Sequence, residues 1–255
     1  MQRPDGLRAA FEEHVAGLAL TAELHGLRDS MRYALDSGGK RIRPVLVLAT
    51  CEAAGGDVEA ALPAATALEL VHTFSLVHDD LPGLDDDDER RGRPATHVAY
   101  GLGVGILAGD ALLAEALRVS LAYPTPEVAR ELTQATLGMI GGQYLDIRGE
   151  GDAETMLRLK TGCLFAASVG LGLWAAALPE VEQAPWRAFG DELGLLFQLV
   201  DDLLDGDGFV ALHGAEATRA AADAAAERAQ ARLEAIDADT SVLEDIVASL
   251  AARTA

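Results

Sequence analysis

The sequence predicts an all-α protein, and three observations support that prediction. Apolar residues recur at three- and four-residue spacing almost throughout, without the sustained alternation that is typical of strands. Half of the residues are hydrophobic and only 5% are aromatic, and alanine and leucine dominate, a composition suited to close-packed helices. No linker, low-complexity tract or repeat interrupts the 255 residues. We therefore expect one helical domain over residues 1–255.

Glycine, proline and capping residues divide the chain into predicted helices. Pro44 suits the first turn of one helix, and Asp57 can cap another that reaches Asp80 before Pro82. A long apolar helix follows, whose glycines would permit close helix–helix approach. The predicted ranges are 7–36, 44–54, 57–80, 96–122, 126–148, 153–177, 184–205, 212–236 and 240–252.

The charge of the chain argues against one class of partner. Its 41 Asp and Glu residues against 20 Lys and Arg give a formal charge of −21 at pH 7. Because a phosphate backbone needs a basic surface, we expect no nucleic-acid partner. An anionic substrate could still bind through bridging cations or a local basic cluster.

The cysteines and apolar runs indicate a cellular compartment. Cys51 and Cys163 lie far apart and match no metal-ligand spacing, which favours reduced thiols. The first residues contain no apolar segment like that of a signal peptide. The longest uncharged apolar run, Cys163 to Leu178, is shorter than the ~20 residues that span a bilayer. We expect a cytoplasmic protein without a membrane span.

Two clusters of aspartates each close an apolar, helix-like run. Asp79 and Asp80 end the first run, and four further aspartates follow within a few residues. Asp201, Asp202 and Asp205 end the second. A solvated acidic loop is the ordinary interpretation of such a run. Like charge at the ends of two apolar helices instead costs free energy unless cations hold it, which favours a divalent-metal site.

Helical spacing refines this metal-site hypothesis. Gln198, Asp201 and Asp205 share one helix face, whereas Asp85 must return to the site from a loop because Pro82 ends its helix. Carboxylate oxygens without a His/Cys cluster suit Mg²⁺, which is often shared with substrate phosphates. The predicted ligands are Asp79, Asp80, Asp85, Asp201, Asp202 and Asp205.

The basic residues are also informative. Lys40 and Lys160 are the only lysines in a chain that otherwise uses arginine, which suggests that a compact ammonium is needed at both positions. Lys40 and Arg43 in a Gly-rich segment, with Arg90 and Arg91 beyond the first aspartates, can clamp diphosphates beside Mg²⁺. Charge compensation of the acidic loop is the alternative for Arg90 and Arg91.

Ordered motifs across residues 38–205 resemble one family. Gly38-Gly-Lys-Arg-Ile-Arg-Pro44, Asp79-Asp80-Leu-Pro-Gly-Leu-Asp85 and Asp201-Asp202-Leu-Leu-Asp205 match, in order, motifs of the trans-isoprenyl diphosphate synthases, which include farnesyl and geranylgeranyl diphosphate synthases. The resemblance implies an isoprenoid-synthase-type helical bundle, a homodimer and three substrate-bridged Mg²⁺ ions. It also implies head-to-tail condensation of isopentenyl diphosphate with an allylic diphosphate.

The resemblance also implies roles for individual residues. Isopentenyl diphosphate would be bound by Lys40, Arg43, His72 and Arg91. The allylic diphosphate and the catalytic step would involve Arg90, Lys160, Thr161 and Gln198, with Gln143, Asp146 and Phe197 also in the active site. Phe74 and Ser75 would form the floor that limits product length, and a bulky Phe74 favours farnesyl diphosphate, ahead of geranylgeranyl and geranyl diphosphate. His78 and His97 are interpreted as structural.

One family feature is missing. The lysine-bearing loop that usually follows the second aspartate motif is absent, and no lysine occurs after Lys160. This predicts weakened allylic binding or compensation by another group, with Arg219 as a candidate.

Three alternatives remain open. A regulatory subunit of a heteromeric synthase would keep the fold, and the absent loop favours it. A terpene cyclase would share the first aspartate motif but generally lacks the second. An acidic helical scaffold leaves both carboxylate helices and the two lysines unexplained.

Overall fold

A continuous hydrophobic cluster extends from Leu7 in the first helix to Leu250 in the last and packs the helices into one bundle. The structure, a computed structural model, describes residues 2–150, 152, 155–156, 158–206 and 208–254. Within these residues twelve α-helices account for most of the chain, which confirms the all-α prediction. The single domain over 1–255 stays a prediction that the continuous cluster supports.

The helices among the described residues are numbered in chain order. They are α1 (Pro4–Ala16), α2 (Leu27–Leu35), α3 (Ile42–Ala53), α4 (Val58–Asp79), α5 (Thr96–Tyr100), α6 (Leu102–Ser120), α7 (Glu127–Arg148), α8 (Cys163–Ala175), α9 (Ala184–Asp205), α10 (Gly208–His213), α11 (Ala215–Glu234) and α12 (Ser241–Ala251). Short 3₁₀ turns cover Ala22–Leu24, Glu180–Glu182 and Ala252–Thr254. A two-stranded antiparallel hairpin pairs β1 (Glu89–Arg90) with β2 (Arg93–Pro94).

Two predicted helices are each divided in the structure. The range 7–36 was predicted as one helix, but α1 ends at Ala16 and α2 begins at Leu27. The guanidinium of Arg32 donates to the carbonyl of Val15 at 2.7 Å and holds this corner. The range 96–122 is divided at Gly101, whose φ of +90° strongly favours glycine. The apolar periodicity continues across both breaks, so it could not reveal them.

The remaining boundaries follow the sequence more closely. Asp57 caps α4 as predicted, accepting from the amide of Glu59 at 3.1 Å. Part of the predicted helix 153–177 lies outside the described residues, and α8 begins at Cys163 after a π-helical turn at Arg158–Gly162. The predicted helix 212–236 corresponds to α11, and the short helix α10 before it was not predicted.

Helix α4 occupies the centre of the bundle, where it packs against α3, α6 and α8. It is long and apolar enough to cross a membrane by length and composition, but 67% of that window is buried inside the protein. Its C-terminal end carries the first aspartates, so the central helix delivers them to one end of the bundle. Helix α9 delivers the second aspartate cluster in the same way.

Candidate active site

The end of α4 and the loop after it bring two carboxylates together. Asp79 is the last residue of α4, and its carbonyl accepts from the amide of Asp85 at 2.8 Å as the loop folds back. Burial raises the pKa of Asp79 to about 6, and the negative charge of Asp85 adds to the rise while Lys160 opposes it. Burial therefore opposes the charged form of Asp79, which a bound cation would favour.

Unlike Asp79, Asp80 is buried in an ion pair with an arginine. It is 2% exposed and accepts from Arg90, whose Nε lies at 2.6 Å and whose Nη2 lies at 2.5 Å from the same carboxylate oxygen. Arg90 also reaches Asp87 at 3.4 Å. Asp80 thus holds the guanidinium of Arg90 beside Asp79, whose charge also acts on Arg90.

The β1–β2 hairpin places Arg91 against the Gly-rich segment. Arg91 and Gly92 have φ of 54° and 74°, the left-handed pair that a two-residue hairpin turn requires. The Arg91 guanidinium donates to the carbonyl of Gly38 and to Ser37 Oγ, the latter at 3.3 Å. A Cβ added at Gly39 would lie 2.8 Å from Arg91 Nη1, so the glycine makes room for this contact.

The three basic side chains of the Gly-rich segment have different surroundings. Lys40 is exposed, whereas the guanidinium of Arg43 lies over the rings of Phe165 and Phe197, 4.6 and 5.6 Å from their centroids. Arg43 Nη1 is 3.4 Å from His72 Nε2. The buried Nε of Arg43 has no hydrogen-bond partner among the described residues. An unpaired buried donor on a cation is suited to receiving an anion.

Burial and neighbouring positive charges disfavour the protonated form of His72. Burial, and then the positive charges of Arg43 and Arg91, hold the pKa of His72 well below its ordinary value. Burial also lowers the pKa of Arg43, and the negative charges of Glu69 and Asp201 oppose that shift. His72 is therefore a neutral imidazole at physiological pH.

The second cluster, at the end of α9, repeats the arrangement of the first. Burial raises the pKa of Asp201, and the neighbouring charge of Asp205 raises it further. Asp202 is 3% exposed and accepts from Gln198 Nε2 at 2.6 Å and from the amide of Phe209 at 2.8 Å. In each cluster one aspartate faces other carboxylates while the next is bound by protein donors.

Helix α7 and the π-helical turn complete the charged part of the site. Lys160 Nζ lies 2.5 Å from Asp146 Oδ2, and its charge also acts on Asp79. Gly142 makes this approach possible, because an added Cβ would overlap the backbone of Lys160. The turn at Arg158–Gly162 departs from α-helical hydrogen bonding at the predicted position of Lys160 and Thr161.

Two buried amide oxygens lack donors. Gln143 Oε1 and Gln198 Oε1 have no hydrogen-bond partner among the described residues. Phe197 stacks on Phe165 with ring centroids 4.3 Å apart, forming the aromatic platform under Arg43. Unpaired acceptors beside aromatic faces can stabilise positive charge.

The two predicted floor residues lie on different faces of α4. Phe74 is 7% exposed and contacts His78 edge to face, with centroids 5.1 Å apart. Ser75 donates its hydroxyl to the carbonyl of His72 at 2.9 Å. Ser75 therefore lies on the Asp79 face, while Phe74 faces α6.

The site suits magnesium by the chemistry of its donors. Among the described residues no group of three or more His, Cys, Asp or Glu is arranged to hold an ion alone. Mg²⁺ commonly takes one or two carboxylates together with water and substrate phosphates, which such a site can accommodate. Of the six predicted ligands, Asp80 and Asp202 accept hydrogen bonds from Arg90, Gln198 and the Phe209 amide. The carboxylates that do not bind these donors are those of Asp79, Asp85, Asp201 and Asp205.

Two contributors, Arg41 and Arg253, were not recognised in the sequence. Arg41 is buried and ion-paired with Glu69 at 2.5 Å. His78, which was interpreted from the sequence as structural, lies between α4 and α6 and donates to the carbonyl of Ile106 at 3.0 Å. Arg253 acts on Asp201 electrostatically, whereas Arg219, the sequence candidate, lies exposed on α11.

Fold and site together define a class of protein: an all-α bundle with carboxylate clusters at the ends of two helices and partly or fully buried arginines near them, suited to divalent cations and phosphate-type anions. A family profile described as polyprenyl synthetase matches residues 25–219. The chain belongs to this family, which confirms the resemblance found in the sequence.

Relatives and solved structures agree with this assignment. The chain is 45% identical over 194 residues to a geranylgeranyl diphosphate synthase of Cyanophora paradoxa, covering 69% of this chain and 64% of that protein. It is 39% identical over 198 residues to a farnesyl diphosphate synthase of Bacillus subtilis, covering 71% and 67%. A geranyltransferase structure from Legionella pneumophila has a TM-score of 0.89 at 31% identity, covering 98% and 96%. The first curated relatives are matched over 54% to 64% of their own length.

Proposed function

We propose that this protein is a Mg²⁺-dependent prenyltransferase that condenses isopentenyl diphosphate head-to-tail with an allylic diphosphate. One observation carries the proposal: cations that act on the two carboxylate clusters also act on one common group, His72. Arg90 acts on Asp79 and Arg43 acts on Asp201, and the charges of both arginines act on His72. Divalent ions together with buried cations are suited to binding a diphosphate and to stabilising it as a leaving group.

The basic side chains divide into two groups around these clusters. Arg90 and Lys160 lie near Asp79 and are suited to an allylic diphosphate held there. Lys40, Arg43, His72 and Arg91 border the Gly-rich segment and are suited to isopentenyl diphosphate. Bound magnesium would neutralise the charge that develops on the departing diphosphate.

The proposed reaction proceeds by ionisation. The allylic carbon–oxygen bond breaks and diphosphate leaves with both electrons. The double bond of isopentenyl diphosphate attacks the resulting carbocation, forming the new carbon–carbon bond, and a proton passes to the diphosphate. In this proposal the cation is stabilised by Gln143 and Gln198, whose buried side-chain oxygens have no hydrogen-bond partner among the described residues, and by Thr161 in the π-helical turn.

The product length predicted from the sequence needs correction. Farnesyl diphosphate was favoured because Phe74 is bulky, but the names of the curated relatives found favour geranylgeranyl diphosphate. We propose geranylgeranyl diphosphate as the main product and farnesyl diphosphate as the second candidate.

The test is incubation of the purified chain with Mg²⁺, isopentenyl diphosphate and dimethylallyl, geranyl or farnesyl diphosphate, with product lengths read by mass spectrometry. Geranylgeranyl diphosphate is the expected end product. Absence of product with every allylic partner would overturn the proposed activity. It would favour the regulatory-subunit alternative, which the absent lysine loop after Asp205 supports.

Phe74→Ala should shift the products toward longer chains. Removing the ring enlarges the space between α4 and α6, and one methylene-sized change in an apolar pocket alters discrimination by roughly tenfold or more. Product ratios at saturating substrate measure the shift. Val181→Ala is the control, because Val181 is 89% exposed on a 3₁₀ turn away from α4. Unchanged product ratios in Phe74→Ala would show that Phe74 does not limit chain length.

Arg253→Gln should weaken allylic binding, and Arg219→Gln should not. Arg253 lines a cavity of about 360 Å³ together with Arg8 and Lys40, and its charge acts on Asp201. This position suits it to replace the missing loop lysines. A lost charge-assisted contact predicts a rise of about tenfold in the allylic KM. Equal KM values for the two variants would contradict the assignment.

The assembly and the compartment are part of the proposal. Exposed apolar side chains on α6 and α7 form a surface suited to a second copy of the chain, including Leu102, Ile106, Leu107, Leu137, Ile140 and Tyr144. We therefore propose a homodimer. The free thiols of Cys51 and Cys163 support a reducing compartment such as the cytoplasm.

A further inference from the structure

The imidazole of His78 occupies the contact between the end of α4 and the middle of α6. Its Nε2–H donates to the carbonyl of Ile106 at 3.0 Å, and the same nitrogen lies 3.9 Å from the Asp110 carboxylate. The ring also contacts Phe74 edge to face, with the two planes at 78°. His78 therefore contacts both α6 and Phe74, and Asp79 is the next residue along the chain.

The absence of a side chain at Gly109 on α6 leaves room for this imidazole. A Cβ added at Gly109 would overlap three ring atoms of His78, Nε2, Cδ2 and Cε1. Glycine in a helix interior is unfavourable relative to alanine, so a packing reason is expected for it. By contrast, a Cβ added at Gly103, on the same helix, would meet no atom within 4 Å. The space at Gly109 is thus specific to the ring of His78.

His78 does not belong to the group of side chains that face the substrates. Consecutive residues on a helix point about 100° apart, so His78 cannot share the face of Asp79. Phe74 precedes His78 by four residues and shares its face. His78 can therefore influence the reaction only through the side chains that it holds in place.

We propose that His78 is a positioning residue for product length, which locks the ring of Phe74 between α4 and α6 in the space left by Gly109. The inference rests on the proposed prenyltransferase function and specifies how product length is set in that same site. Without the imidazole, Phe74 can rotate into the vacated space, so the space that we propose for the growing product deepens. A methyl group at Gly109 instead drives the imidazole toward Phe74 and narrows that proposed space.

The two single substitutions should therefore act in opposite directions. His78→Ala should raise the proportion of the next longer product by about tenfold, the scale of one methylene-sized change in an apolar pocket. Gly109→Ala should shift the products toward shorter chains. In His78→Ala/Gly109→Ala no imidazole remains for the added methyl to displace, so the double variant should keep the longer products of His78→Ala instead of returning toward those of the unchanged protein. Such non-additivity is characteristic of side chains in direct contact.

The measurement is the ratio of product lengths at saturating substrate, which does not depend on how much of the protein is folded. Gly103→Ala is the matched control in α6 and should leave the ratio unchanged. If His78→Ala does not fold, His78→Gln keeps a donor for the Ile106 carbonyl while removing the ring, and it should lengthen the products as well. Unchanged ratios, or additive effects in the double variant, overturn the inference while the proposed function stands. Absence of product from the unchanged protein overturns both.

Discussion

Replacing Asp79 with asparagine should lower kcat/KM by roughly a hundredfold to a thousandfold, the loss typical of removing one electrostatic group from a reacting centre. Asp79 lies where burial, Asp85 and Lys160 all act on its carboxylate. An amide of the same shape keeps the hydrogen-bonding geometry but loses the charge that would hold magnesium. Steady-state kinetics across a magnesium titration measure the effect.

Asp86→Asn is the control for this substitution. Asp86 belongs to the same acidic loop but is exposed, and its positive φ of 55° is one that asparagine also tolerates. It should retain near-normal activity and magnesium dependence. Comparable losses in Asp79→Asn and Asp86→Asn would show that total negative charge matters, and would contradict a specific role for Asp79.

The raised pKa of Asp79 also predicts a pH dependence with a definite sign. Burial raises its pKa from the ordinary 3.8 to about 6, so between these values the folded protein binds more protons than the unfolded chain. The contribution of Asp79 to stability therefore falls as pH rises through that window. Without metal, Asp79→Asn should melt at a higher temperature than the unchanged protein at pH 7 but not at pH 4.

The raised pKa of Asp79 also bears on magnesium. The unchanged protein should need a higher magnesium concentration for activity as pH falls through 6.

Local signals in the sequence predicted the helices that carry the site. Asp57 caps α4, and Pro82 ends the predicted helix close to the observed end at Asp79. The breaks at Gly17 and Gly101 were missed because glycine also occurs inside helices, as Gly109 does in α6. Only the packing around each glycine distinguishes a break from a close contact.

The site was predicted at the level of motifs but not of individual contacts. Helical geometry contained one unused signal, since adjacent aspartates point about 100° apart and cannot both face one ion. In the structure the second aspartate of each pair is bound by protein donors. Asp80 accepts from Arg90, and Asp202 accepts from Gln198 and from the Phe209 amide. The position of Arg253 depends on the docking of the 252–254 turn against α9, a long-range contact that no local pattern encodes.

The Gly-rich segment shows why residue type alone could not assign every basic side chain. Lys40, Arg41 and Arg43 have similar chemistry, yet Arg41 turns into the core at a φ of 51°. It donates to Glu69 at 2.5 Å, to Glu12 at 2.9 Å and to the carbonyl of Leu35 at 2.7 Å. These bonds tie α1, α2 and α4 together and commit Arg41 to the fold, whereas Arg43 lies beside His72 in the candidate site.

Glu69→Gln should consequently destabilise the protein by about 1–3 kcal/mol, because it removes a buried charge-assisted partner of Arg41 while the bonds to Glu12 and the Leu35 carbonyl remain. The Arg41 and Glu69 side chains are only 3% and 4% exposed, so water cannot compensate for the lost charge. The free energy of unfolding from chemical denaturation measures the effect. Glu150→Gln, which breaks the exposed pair of Arg148 and Glu150, should cost less than about 1 kcal/mol.

The same ion pair should matter for substrate binding as well as for stability. Because Arg41 fixes the turn between Lys40 and Arg43, its release in Glu69→Gln should raise the KM for isopentenyl diphosphate more than the KM for the allylic substrate. Replacing both members, as in Arg41→Met/Glu69→Leu, removes the unpaired charge, so it should recover part of the stability. It should not recover the KM, because the apolar pair cannot bond Glu12 or the Leu35 carbonyl. Recovery of stability and KM together would show that the pair stabilises the fold without orienting the segment.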